Sequence, residues 1–318
     1  MVESQVNAQR DSATAFAPAS VGNVAVGFDV LGHSVQALGD RVSVRRTLTP
    51  GVTIKAITGA VTNLPLDAER NTAGMAVLAL CRDQQLDYGM ELSIDKGIPL
   101  SSGLGGSAAS AVAGVVAANA LLAAPLNNLQ LLKYAMQGEK VASGSVHVDN
   151  IAPSLFGGLV LTVGIDNPIV KQIPVPAAVR CVLVHPHMVL STREAREILK
   201  RTVELSDVIW QSANLAGFLT GCFTNDIDLI RGSLEDVIIE PQRQVLIPGF
   251  KALKEGAMSR GALGCSISGA GPTIFAWCEH QDAPQIRDAM VAAFAQHGLP
   301  SDAWISTLDA IGARVVDN

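Results

Sequence analysis

Several groups of residues in this chain have types and spacings that chemistry could use. The first is Pro99-Leu100-Ser101-Ser102-Gly103-Leu104-Gly105-Gly106-Ser107-Ala108-Ala109-Ser110, glycine-rich and followed at once by a long Ala-rich apolar run. Bare backbone leading into a helix N-terminus presents N–H groups to an anion, and the helix dipole favours negative charge there. The stretch therefore reads as a phosphate cradle. A glycine turn ahead of a core helix has the same composition. The second group is Asn23 and Asp29, the strongly polar residues of the small, apolar segment Ala17–Gly32. A carboxylate in such surroundings needs a partner. A ligand amino group would serve, and so would a cap or turn role. The third group is Glu139 on a helical pattern, with His147, Asp149 and Asn150 just beyond it. One carboxylate is enough to hold Mg2+ against nucleotide phosphates, although a helix-end Glu is often only solvated. A His/Asp pair alone is weak evidence. The fourth group is Arg196 and Arg243, whose planar forks suit a carboxylate if they converge and are ordinary surface charge if they do not.

Two nucleotide folds are excluded for the glycine loop. No Lys follows the glycines, as a Walker loop requires. Gly103-x-Gly105-x-x-Ala108 matches a dinucleotide fingerprint formally. The ribose-binding acid expected about 20 residues on is absent, because Ala124-Pro125-Leu126-Asn127-Asn128 runs toward Glu139 without one.

The elements that must position these groups read as an α+β layout in two halves. Strands are expected over Ala13–Ala17, Arg41–Leu48, Val52–Ile57, Met90–Lys96 and Gly157–Val163, the second and third as an antiparallel pair. Helices are expected over Asn71–Leu86, Ser107–Ala124 and Asn127–Val141, with Asn71 as an N-cap. His147, Asp149 and Asn150 fall in a loop. Turn residues place a domain boundary near 155–178, giving domains 1–165 and 166–318. The second half reads as strand Val179–His185, helical patterns near 191–202, 206–224 and 248–260, strands Gly264–Ser268 and Thr273–Cys278, helix Ala283–His297 and strand Ala303–Leu308.

Composition bounds the function. With 318 residues, 48% hydrophobic and 16% charged, the chain reads as a globular protein with a sizeable core. A net charge of −6 argues against nucleic acid or an anionic membrane as partner. The five cysteines are scattered through apolar contexts without a CxxC, which fits reduced buried thiols in the cytoplasm. Met1–Asp11 has no apolar secretory core, and the near membrane-length run Ala108–Leu126 is Ala-rich and polar-spotted, as a buried soluble helix is.

The loop Pro99–Ala109 resembles P-x-x-x-G-L-G-x-S-A-A of the GHMP small-molecule kinases, with Gly106 where that family usually has Ser. Further segments resemble the branch of the family whose acceptor is the amino-acid alcohol L-homoserine. They are Ala17–Gly32, Gly144-Ser145-Val146-His147-Val148-Asp149-Asn150-Ile151-Ala152-Pro153, Ser191-Thr192-Arg193-Glu194-Ala195-Arg196, Glu240-Pro241-Gln242-Arg243, Ser266–Thr273 with Ala270 for a Ser, and the ending from Leu308. The resemblance runs from about Ala13 to Asn318. It implies a two-domain fold, an N-terminal mixed α/β nucleotide-binding domain followed by a C-terminal ferredoxin-like α/β sandwich. It also implies ATP-dependent phosphorylation of the homoserine hydroxyl, a step toward threonine, and a homodimer. By the same resemblance Pro99–Ala109 holds ATP, with Asn71 near the adenine, and Ser107 and Glu139 hold Mg2+. Asn23, Asp29, His147, Thr192, Arg196, Arg243 and Gly269 hold substrate. Asn150 aligns the hydroxyl, and Asp149 matches the acid that relatives use as base. It either takes the proton or shapes the loop while a phosphate oxygen does. A mevalonate- or sugar-type kinase is the rival within the family, although such acceptors lack the ammonium that Asp29 would meet. A ligand-binding relative without catalysis is the rival outside it.

Overall fold

The computed structural model of the chain describes residues 10–143, 146–164 and 166–316. Two sheets organise them. The first grows from β1 (Ser12–Gly22) and β2 (Leu31–Thr47), antiparallel with one register shift at Pro18/Ala19. Then come β3 (Gly51–Gly59), α1 (Thr72–Asp83), β4 (Gly89–Lys96), α2 (Gly106–Asn119), α3 (Asn128–Ser143), α4 (Val148–Phe156), β5 (Leu159–Val163) and β6 (Ile169–Ile173). The second half runs through β7 (Val179–Pro186), α5 (Thr192–Glu197), α6 (Leu205–Thr224), α7 (Ile227–Ser233), α8 (Glu240–Arg243) and α9 (Phe250–Met258). It continues with β8 (Gly264–Ile267), β9 (Ile274–Glu279), α10 (Ala283–Gln296) and β10 (Ser301–Thr307). The chain then returns to the first sheet as β11 (Arg314–Val316). The first sheet has the order β11-β1-β2-β4-β3, with β5 on the start of β2 and β6 on β5. The second has the order β10-β7-β9-β8, all antiparallel, the ferredoxin-like arrangement.

Three expectations are corrected. β3 does not pair with β2. Both edges of β2 over 41–45 are taken, by β1 and by β4, so β3 adds parallel to the outer edge of β4. Asp149 and Asn150 lie in the first turn of α4, not in a loop. Pro153 is tolerated inside this short helix because its missing N–H costs a single bond, that of the Asp149 carbonyl. Helix α2 stops at Asn119, whose side-chain amide exchanges two hydrogen bonds with the backbone of Leu126 and folds the chain back. Position 165 lies outside the described residues. Both β6 and β11 belong to the first sheet.

Strand alternation explains how the halves join. On β9, Ile274, Ala276 and Cys278 face the cluster under α9 and α10, while Phe275 and Trp277 face the core of the first half. On β7, Val182 and Val184 face one way, and Cys181 and Leu183 the other. The period-2 geometry of a strand buried on both faces thus makes one sheet serve two cores. All five cysteines are buried free thiols. Among the described residues no helix is long and apolar enough to cross a membrane.

One polar contact sits in this junction. His33 on β2 is fully buried, and its Nε2 accepts from Trp277 Nε1 on β9 at 3.3 Å while Nδ1 faces the Ser34 carbonyl at 3.1 Å. Burial lowers its pKa to about 4 against the opposing Ser34 bond. The folded state therefore prefers neutral imidazole, and the stability this gives is present above pH 6.5 and lost as pH falls toward 4. The loss amounts to about 2–3 kcal/mol between pH 7 and 4.5. Urea unfolding at the two pH values measures it. A His33→Gln variant, which can still accept the indole N–H but does not titrate, is expected to lose correspondingly less over the same range.

Candidate active site

The glycine loop joins β4 to α2, and its carbonyls are turned into the protein. Ser102 O accepts from Thr273 N (3.2 Å), Gly103 O from Ser268 Oγ (2.7 Å) and Leu104 O from Ser20 N (3.1 Å). These three bonds hold the middle of the loop against β1 and the Ser268–Thr273 turn. Gly105, the N-cap of α2, has φ 65°, and a Cβ there would lie 2.2 Å from Ser20 Oγ. It offers no capping side chain, so the first-turn N–H groups of α2 have no side-chain acceptor, which is the arrangement an anion needs. At Gly106 a Cβ would stand 3.3 Å from Ile98 Cγ2 and 3.7 Å from Lys96 Nζ. The departure from the usual Ser therefore keeps the amides and relieves a close fit.

Glu139 reaches this helix start from α3. The preceding Gly138 makes that possible, because a Cβ there would lie 2.3 Å from the Thr72 carbonyl of α1 and 3.2 Å from Ala111 Cβ of α2. Glu139 is 3% exposed. Its Oε1 accepts from Ser107 Oγ at 2.9 Å and faces His147 Nδ1 at 3.4 Å, while Oε2 is buried without a partner. Burial opposes a charged His147, but the hydrogen bond to Glu139 and the charges of Asp149 and Glu139 outweigh it and raise its pKa.

Asp149 is 2% exposed. Its Oδ2 accepts from Asn23 N (3.2 Å) and Asn150 Nδ2 (3.3 Å), and its Oδ1 is buried without a partner. Burial, then the nearby charge of Asp29, push its pKa up to about 6, against the pull of His147 and the Asn23 N–H. Asn150 Oδ1 accepts from Ser20 Oγ at 3.0 Å, which orients its amide. Asn23 ties three segments together. Besides its bond to Asp149, its Nδ2 donates to Gly269 O (2.8 Å) and its Oδ1 accepts from Asp29 N (3.0 Å). Both ends of its side chain are engaged with protein, so it holds the site together. The segment carries backbone strain, with positive φ at Asn23, Val24, Ala25 and Asp29. For the β-branched Val24 that is a costly conformation, of the kind found where a site must be held in place.

The arginines converge. Arg196, on α5 one turn after Thr192, and Arg243, at the end of α8, both lie over the ring of Phe28, 5.4 and 5.1 Å from its centroid. Arg243 is 3% exposed and donates to Ala195 O (2.7 Å) and Gly269 O (3.0 Å). Burial and the charge of Arg196 lower its pKa to about 10. Arg196 makes a bidentate pair with Asp29, both bonds 3.0 Å, with each side chain 41% exposed. A narrow crevice lined by Asn23, Arg243, Gly269, Asp236 and Glu240 adjoins this cluster. Gly144 and Ser145 of the expected motif lie outside the described residues.

Asn71 takes the capping role expected of it. Asn71 is buried as the N-cap of α1, with Oδ1 accepting from Ala73 N and Gly74 N and Nδ2 donating to Pro65 O. Phe28, Ser20, Ser268, Asp40 and Lys96 were not singled out by type or spacing. For the last two a signal existed. Lys96 falls in step with the inward Met90, Leu92 and Ile94, and Asp40 with the inward Val42 and Val44. A charge on a buried strand face requires a partner.

Residues 71–158 match the family description GHMP kinases N terminal domain, and residues 218–296 match GHMP kinases C terminal. The crystal structure of Leishmania major mevalonate kinase in complex with R-mevalonate shares the fold, with a TM-score of 0.68 at 15% identity over 93% of this chain and 96% of that one. Fold and loop together define a GHMP-type kinase. The chain is 52% identical to homoserine kinase of Xylella fastidiosa (strain 9a5c) over 316 residues, 98% of this chain and 97% of that one. It is 44% identical to the crystal structure of homoserine kinase from Cytophaga hutchinsonii, with a TM-score of 0.94 over 98% and 99% of the two chains. It belongs to the homoserine kinase family.

Proposed function

We propose that this kinase transfers the γ-phosphoryl group of ATP to the side-chain hydroxyl of L-homoserine, giving ADP and O-phospho-L-homoserine on the way to threonine. It would work with Mg2+, as a cytoplasmic homodimer. The observation that carries the proposal is the meeting of an uncapped helix start, two buried carboxylates each with a free oxygen, and a paired cation and anion over one aromatic ring.

The amides of Pro99–Ala109 receive the phosphates. Ser107 and Glu139 would hold the metal. One free carboxylate oxygen beside a hydroxyl suits a hard cation that otherwise takes phosphate oxygens and water. Bound there, Mg2+ would neutralise charge on the transferring phosphate. The homoserine carboxylate meets Arg243 and Arg196, and its ammonium meets Asp29, with Thr192, His147 and Gly269 completing the enclosure. Asn150 aligns the hydroxyl. Its oxygen attacks the γ-phosphorus, the bond to the bridging oxygen of ADP breaks, and the hydroxyl proton passes to Asp149 Oδ1. A buried carboxylate whose pKa lies near 6 is suited to accept a proton near neutral pH. Most of the rate enhancement comes from positioning and charge neutralisation, as in other phosphoryl transfers.

The exposed Asp29–Arg196 pair sharpens the specificity. Such a pair is worth at most about 1 kcal/mol, so a zwitterion can replace it with two new pairs at little cost. An acceptor with one charge would leave Asp29 or Arg196 unmatched. ADP release with Mg-ATP is expected with homoserine and not with mevalonate or galactose. 4-Hydroxybutanoate and 3-aminopropan-1-ol, each missing one charge, are expected to lose at least about 10²-fold in kcat/KM. Absence of homoserine-dependent ADP release would sink the assignment. Equal use of the single-charge analogues would sink the zwitterion match.

A further inference from the structure

Below the phosphate loop lies a buried ion pair that the chemistry above does not use. Lys96, the last residue of β4, is 5% exposed, and Asp40 on β2 is fully buried. The Lys96 ammonium bonds Asp40 Oδ2, the Gly106 carbonyl (2.8 Å) and Ser110 Oγ (2.8 Å), so all three of its donors are engaged. Asp40 Oδ2 also accepts from Ser110 Oγ at 2.6 Å. Asp40 Oδ1 accepts from Gly97 N (3.0 Å) and Ile98 N (3.2 Å).

These partners are not scattered. Gly97 and Ile98 are where the chain leaves β4 for the loop. Gly106 and Ser110 are the first turn of α2, where it arrives. The loop between them includes positive φ at Ser101, Gly103 and Gly105, conformations that local propensity does not hold by itself. We propose that Asp40 and Lys96 act as a positioning pair that clamps both ends of the phosphate loop and so fixes its amides for the nucleotide. Neither residue is among those assigned above to substrate, nucleotide or metal. Asp40 holds the entry directly and the exit through Ser110 and the Lys96 ammonium. A buried pair of this kind adds little net stability over an apolar replacement, so a geometric role accounts for it better than a stabilising one. The proposal rests on the loop being the nucleotide site.

The test separates the clamp from that premise. Removing one partner alone would strand a buried charge and endanger folding. The variants are therefore Ser110→Ala, which deletes the hydroxyl bridging the pair, and the charge-neutral double variant Asp40→Asn/Lys96→Met. Two readouts are taken on folded full-length protein. The first is amide hydrogen exchange of the loop, residues 97–107, without ligand. The second is calorimetric affinity for ADP, set beside the KM values for ATP and homoserine. Exchange of the loop amides is expected to rise at least about tenfold in the double variant and less in Ser110→Ala, while α1 and α10 keep their protection. ADP affinity is expected to fall and the ATP KM to rise by about tenfold, with the homoserine KM within twofold of wild type. A role confined to stability would move both KM values or neither. Unchanged loop exchange in the folded double variant overturns the clamp. Raised exchange with unchanged ADP affinity leaves the clamp standing and overturns the nucleotide role of the loop.

Discussion

Replacing Asp149 by Asn is expected to lower kcat by about 10²- to 10⁴-fold, the range general base catalysis contributes, and to raise the melting temperature. The two effects share one cause. Asn keeps the size of the side chain and its oxygen acceptor toward the Asn23 N–H, but it cannot take a proton. Asp149 Oδ1 is buried and has no protein donor, which leaves it open to the hydroxyl proton in the proposed reaction. In the ligand-free protein that charge is unfavourable. Burial and Asp29 raise the pKa from 3.8 to about 6, which corresponds to a destabilisation of about 3 kcal/mol at pH 7. The sign is opposite to that of His33. The folded state binds this proton more tightly than the unfolded chain does, so Asp149 adds stability as pH falls from 7 through 6 toward 3.8, where His33 removes it. Activity runs the other way, because the protonated carboxyl is no base. The kcat of the wild type is expected to fall about tenfold per pH unit below about 6, a limb that Asp149→Asn abolishes. Saturating-substrate rates from pH 5 to 8 and thermal melts of both proteins measure this. A variant within about tenfold of the wild-type rate would remove Asp149 as base and leave a phosphate oxygen to take the proton.

The residues of this site were largely legible in the sequence, but their pairings were not. The glycine loop, the Asn71 cap and the inward faces of the strands follow from local rules of periodicity and turn chemistry, and the structure has them in place. Charge alone matches Asp29 and Arg196 to opposite ends of a ligand. They lie 167 residues apart in the chain, and no local rule says that without ligand they bond each other. The helix over Asp149 was hidden by Pro153, which reads as a stop unless the short helix can spare one bond. β11 was hidden for a different reason. Three residues at the end of the chain carry no periodic signal, and their place beside β1 is fixed by the fold around them. Lys96 and Asp40 were legible through the alternation of their strands. Reading each strand for its apolar positions alone passes over the charged residue that shares the buried face.

Replacing Glu139 by Gln is expected to lower kcat/KM for Mg-ATP by about 10²- to 10³-fold while leaving nucleotide affinity in the absence of Mg2+ within about twofold. A cation on a transferring phosphate supplies several kcal/mol of charge stabilisation, which sets this range. The substitution changes little else. Gln keeps an oxygen toward Ser107 Oγ and fits the space that the close approach of α3 to α1 allows. What it loses is the negative charge, and with it the buried, unpartnered carboxylate Oε2 on which the proposed metal role rests. Hydrogen bonds to the loop amides do not depend on that charge, so ADP measured calorimetrically in chelator should bind the variant and the wild type alike. The half-saturating Mg2+ concentration for turnover should rise at least about tenfold. His147 supplies an internal control. Its pKa is held up in part by the bond to Glu139, so its imidazole titration followed by NMR should move down in the variant, reporting the lost contact independently of activity. If the His147 titration shifts while turnover and Mg2+ dependence stay within about tenfold of wild type, Glu139 serves only to seat His147, and the metal must be held by other groups.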